Sequence, residues 1–120
     1  MARNGARALA LLAVVAATPA VASVPASAGT LGCDHAWSNK SAYSSHVTRT
    51  DVNYRKGPHT SCDSFGQWSR VKVYYHCWTY GDTVGGNRGW WHVRRAGTQQ
   101  QGWVSETYLG ITGNDPAERC

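Results

Sequence analysis

The sequence predicts an all-β fold, a small, partly open barrel stapled by disulfides. Three observations lead there: short β-prone runs separated by glycine-rich turns, alternation of side chains within those runs, and four cysteines in a 120-residue chain that opens with an export signal. Helical periodicity is absent from the β-prone region. The length suits one domain. Six Trp and six Tyr against one Phe and one Met are too many aromatics for a disordered chain.

Residues 1–7 carry Arg3 and Arg7, residues 8–17 are apolar (ALALLAVVAA), and residues 18–28 are small (TPAVASVPASA). This three-zone order is that of a secretory signal peptide. Small residues at −3 and −1 of the cut are supplied by Ala20-Val21-Ala22 and by Ala26-Ser27-Ala28, and cleavage after Ala28 is expected. The apolar run is about half the roughly 20 residues needed to span a bilayer. The product is therefore expected to be secreted, extracellular or cell-wall associated, with no membrane segment after cleavage. The formal charge is +5, and removal of Arg3 and Arg7 leaves ten basic and seven acidic residues, a net +3. That balance attracts anionic surfaces weakly but lacks the dense basic patch of a nucleic-acid binder.

Residues 29–50 are polar and read as an N-terminal extension, residues 51–109 as the folded domain, and residues 110–120 as a C-terminal tail. Within the domain, strands are predicted at 51–56, 69–79, 89–96 and 102–106. In VKVYYHC, Val71, Val73, Tyr75 and Cys77 fall on one face, with Lys72, Tyr74 and His76 opposite, the pattern of a half-buried antiparallel strand. In GWWHVRRAG, Trp91 shares a face with Val93, while Trp90 shares the other with His92 and Arg94. Trp91 is thus the core residue and Trp90 the surface one. Gly57-Pro58, Gly85-Gly86-Asn87 and the polar stretch 97–101 supply the turns. Several short strands at this spacing make a small barrel or sandwich.

Cys33, Cys62, Cys77 and Cys120 in an exported chain imply two disulfides, and their spacing alone leaves all three connectivities open. His35, His59 and His76 lie near cysteines, but the spacings match no zinc pattern, and neither metal nor cofactor is expected. The five histidines read as surface residues that make the charge sensitive to mildly acid pH.

Three stretches carry a family likeness: Val52-Asn53-Tyr54-Arg55-Lys56-Gly57-Pro58, then Trp91-His92-Val93, and last Gly102-Trp103-Val104-Ser105-Glu106-Thr107-Tyr108-Leu109. Together they resemble bacterial SH3 (SH3b) domains over about residues 51–109, with Tyr54 standing where that family usually has an aliphatic residue. The resemblance implies five or six short strands in a partly open barrel. Locally, Asn53 suits a hydrogen bond to nearby backbone, Val104 points inward, and residues 105–108 make one helical turn. The likeness also implies the pairing Cys62 with Cys77 and Cys33 with Cys120, because the first long loop of such a barrel folds on the strand ending at Cys77 and its chain ends lie close together. On the same basis Trp90 and Tyr108 match the aromatics of the ligand groove, and outward-facing Tyr74, Trp78 and Tyr80 extend that surface. A core this small cannot hide twelve large aromatics, so an exposed cluster is expected to bind.

Catalysis has no visible equipment. The cysteines are committed to disulfides, the acids are scattered singly, and no nucleophile-elbow or metalloprotease motif occurs. The expected function is a monomeric, secreted, non-enzymatic module that recognises cell-wall peptidoglycan or its peptide stems. The alternative is a secreted protein-interaction factor, an inhibitor or partner of another exported protein.

Overall fold

The computed structural model describes residues 32–111 and 114–120, so the expected signal peptide and its cleavage site lie outside the described residues. Six strands, β1 (Ser44–His46), β2 (Val52–Arg55), β3 (Ser64–Trp68), β4 (Lys72–Val84), β5 (Asn87–Arg95) and β6 (Gln101–Ser105), form one sheet in the order β1-β4-β5-β6-β2-β3, every neighbouring pair antiparallel. The sheet curls into a half-barrel, and the fold is all-β with two disulfides. A single 3-10 turn, Glu106–Tyr108, follows β6 as expected, capped by the Ser105 side chain.

The four predicted strands correspond to β2, β4, β5 and β6. Strands β1 and β3 are not among those predicted from the sequence, and both are short edge strands: β1 is polar, and β3 buries only its last residue, Trp68. The stretch 29–50 thus contributes β1, together with Val47, which bridges Leu109 and joins the core. The enclosed face holds Val52 and Tyr54 from β2, Val73, Tyr75 and Trp78 from β4, Trp91 and Val93 from β5, and Val104 from β6, with Trp68 stacked on Tyr54 at 3.9 Å. Each buried indole removes on the order of 200 Å² from water, worth about 5 kcal/mol by transfer arithmetic. Asn53 turns to side chains rather than backbone, accepting from Ser64 Oγ on β3 at 2.8 Å.

The alternation predicted for β4 holds only to Tyr75. Tyr75 stands opposite Val93, yet Cys77 stands opposite His92, so His76 is an extra residue, a β-bulge. Beyond it the faces exchange. Cys77 moves to the outer face and Trp78 enters the core, which corrects the expectation that Cys77 shares the face of Val73 and that Trp78 points outward.

The disulfides also differ from expectation. Cys33 pairs with Cys62 and Cys77 with Cys120; the expected Cys62 to Cys77 and Cys33 to Cys120 pairs do not form. Residues 33–40 cross the outer face of the sheet, and Cys33 presses on the loop after β2 so closely that a Cβ on Gly57 would lie 2.3 Å from the Cys33 Cα. The tail instead runs beside β4, where Arg119 bridges Trp78 and the Cys120 N–H donates to Trp78 O at 2.8 Å. Leader and tail do touch, Lys40 Nζ donating to Arg119 O at 2.8 Å, but each is stapled to a different part of the barrel. Non-reducing peptide mapping should recover the pairs Cys33 with Cys62 and Cys77 with Cys120. Replacing Cys33 and Cys62 together by Ala should cost roughly 3 to 4 kcal/mol, read as a lowered thermal midpoint.

Candidate functional site

Of the expected ligand residues, Trp90 and Tyr108 border one groove of about 280 Å³. One wall is the turn into β2, with Arg49 and Asp51, and the end of β2, with Arg55; the 3-10 turn after β6 contributes Tyr108. The turn is fixed at both ends: Arg70 N donates to Arg49 O (3.1 Å), Thr48 N to Tyr108 O (2.9 Å), and Asp51 N to Ser69 Oγ (2.9 Å). Asp51 takes the left-handed conformation (φ 55°), which a short polar side chain tolerates. The Arg49 guanidinium lies 5.6 Å from the centre of the Tyr108 ring, and Arg55 Nη1 donates to Cys62 O at 3.0 Å.

Trp90 is not the exposed anchor that was expected. It lies on the face opposite Trp91, as alternation requires, but is only 2% exposed. Its indole N–H donates to Asp82 O at 2.9 Å. The loop after β2 covers it, and that loop is held by the Asp82 carboxylate, which takes hydrogen bonds from Thr60 N (2.9 Å) and Thr60 Oγ1 (3.0 Å) and pairs with His59 Nδ1 (2.8 Å). These partners, His59 first, pull the Asp82 carboxyl below the usual carboxylate range. Gly81 permits the approach, since a Cβ there would lie 1.8 Å from Pro58 O. Asp82 carried no signal in the sequence, where it was one scattered acid among seven.

The other expected residues are dispersed. Tyr74, 37% exposed, lies on the outer face under Lys72 and Arg94. Tyr80 is exposed toward the far end of the β4–β5 hairpin, with the guanidiniums of Arg88 and Arg119 at 4.9 and 5.3 Å. Trp78 is in the core, its N–H donating to Asp115 O at 2.7 Å. The groove itself therefore combines one accessible ring with two guanidiniums and one carboxylate, a lining suited to charged groups.

Beyond the groove, the outer face carries an assembly that sequence reasoning missed. His76 and His92 meet Nδ1 to Nδ1 at 2.8 Å, so one imidazole donates to the other. Trp37 stacks on both, at 3.9 Å over His92 and 4.7 Å over His76, and Trp103 stands edge-on to His92 at 5.3 Å. These two histidines are buried, not the surface residues expected. Burial, then the charge of His76, pushes His92 down to about 3; burial, then Arg94, lowers His76. Among the described residues no three of His, Cys, Asp and Glu gather to hold a metal ion, and all four cysteines are paired. No protein-family profile, curated protein or solved structure matches this chain.

Both Trp90→Ala and Trp91→Ala should cost about 3 to 5 kcal/mol of stability in denaturant unfolding, since each empties a fully packed site. Because the folded state withholds a proton that unfolded His92 accepts, stability should be complete above the ordinary imidazole value. It should fall as pH drops from about 6.5 toward 3, by up to about 1.4 kcal/mol per pH unit. Chemical unfolding across this range should show the slope, and His92→Phe should flatten it.

Proposed function

We propose that this protein is a secreted, non-enzymatic binding module of the bacterial SH3 kind, and that its groove holds the peptide stems of cell-wall peptidoglycan. The observation that carries this reading is the placing of Arg49 beside the Tyr108 ring, in a groove that Arg55 also lines. A peptide stem is short, bears free carboxylates and amines, and carries small apolar side chains. Guanidiniums take carboxylates through charge-assisted hydrogen bonds. Asp51 suits an amine, and the Tyr108 face suits a methyl group. Two disulfides are compatible with an extracellular protein.

A second reading, a partner of another exported protein, is favoured by a different feature. A broad hollow of about 660 Å³ beside the leader is bordered by Phe65 (56% exposed) and Trp37 (42% exposed), an apolar rim that suits a polypeptide surface.

Titration of soluble stem peptides into isotope-labelled protein should perturb Tyr108 and Arg49, and Tyr108→Ala or Arg49→Ala should weaken binding at least about tenfold with the fold intact. Capture from an exported-protein mixture that depends on Phe65 and Trp37, with no response to stem peptides, would favour the second reading instead.

A further inference from the structure

On the outer face of the sheet, away from the groove, the chain from residue 39 to residue 43 lies along β4. Lys40 N donates to His76 O at 2.8 Å, and Tyr75 N donates to Tyr43 O at 3.0 Å. Between this segment, β4 and β5 is a pocket of about 170 Å³ lined by Asn39, Ser41, Tyr43, Tyr74, His76 and Arg94. No carboxylate lines it, and every polar side chain there can donate a hydrogen bond.

Two cations converge on the pocket's aromatic wall. Lys72 Nζ is 5.4 Å and the Arg94 guanidinium 5.2 Å from the centre of the Tyr74 ring. Among the described residues neither is paired with a carboxylate. Arg94 spends Nη1 on Thr98 O at 2.9 Å and keeps its other N–H groups. The bulge also brings His76 into the pocket wall, with its Nδ1 turned toward His92. Guanidinium, imidazole, amide and hydroxyl thus come from three separate chain segments. That arrangement suits a tetrahedral oxyanion better than a planar carboxylate, which a two-pronged fork from one side would hold.

We propose that this pocket is a phosphate-binding site, distinct from the groove and independent of what the groove binds. The groups facing His76 are His92 and Arg94 on β5, Tyr74 on β4, Tyr43, and the Trp37 ring, none of them acidic. Bound phosphate adds the missing negative charge and opposes the influence of Arg94 on the imidazole.

The test uses the full chain with both disulfides intact, titrated by NMR with inorganic phosphate, with a linear glycerol phosphate polymer, and with polyglutamate of matched charge. Phosphate should shift the His76 ring and the Arg94 side-chain signals and raise the His76 titration midpoint. Arg94→Gln should weaken binding at least about tenfold, and Tyr108→Ala should leave it unchanged. Arg94→Lys, which keeps the charge but loses the fork, should be weakened less and controls for loss of folding. Tighter binding of the polymer than of inorganic phosphate identifies a polymeric source; equal binding identifies free phosphate. Shifts confined to Arg49 and Arg55, binding indifferent to Arg94, or equal binding of polyglutamate and the glycerol phosphate polymer would overturn the proposal.

Discussion

A single curled sheet has one enclosed face and one open face, and this protein places indole rings on both. Trp68, Trp78 and Trp91 pack inside, whereas Trp90 and Trp103 lie on the outer side and are nonetheless almost fully buried. An antiparallel sheet of this size would normally leave that side to water. Here it is covered by pieces of chain with no regular structure: residues 33–40 over Trp103 and the histidine pair, and the loop after β2 over Trp90. Such segments order themselves at an entropic cost of roughly 1 to 2 kcal/mol per residue. The Cys33–Cys62 bond joins the two covers to each other, and the three hydrogen bonds to the Asp82 carboxylate tie the second cover to the β4–β5 hairpin. Without these fasteners the outer indoles would lose their shielding.

The second organising feature is one inserted residue. The bulge at His76 changes which side chains of β4 face inward, and several properties follow from it. Trp78 joins the core, and its N–H finds the tail at Asp115. Cys77 turns outward to meet Cys120. His76 itself is left beside His92, where the two imidazoles share a single hydrogen bond under Trp37. A strand without the bulge would keep Cys77 in the core and offer the tail no partner. Bulges commonly re-aim side chains next to binding sites, and this one forms part of the wall of the donor-lined pocket.

The groove has a similar division between support and contact. Buried Trp90 lies at its base, its N–H held by Asp82 O, whereas Arg49 and Asp51 are exposed on a turn fixed by hydrogen bonds and Tyr108 stands half-buried on the 3-10 turn opposite. Position is thus set by rigid elements, and chemistry by a few side chains at their ends.

Read alone, the sequence determines the all-β class, strands β2, β5 and β6, the inward set Val73, Tyr75, Trp91, Val93 and Val104, and the 3-10 turn at Glu106–Tyr108. These are legible because alternation with period two and turn chemistry are local properties, written within a few neighbouring residues. Only the tertiary structure decided the cysteine pairs, the burial of Trp90 and Trp78, the clamp at Asp82, and the stacking of Trp37 on two histidines. A bulge removes one residue from the count without a mark in the sequence, and coverage of the outer face depends on segments up to dozens of positions away in the chain. Side chains such as Trp90 and His92, which local alternation assigns to solvent, are buried because distant backbone with no pattern of its own lies over them.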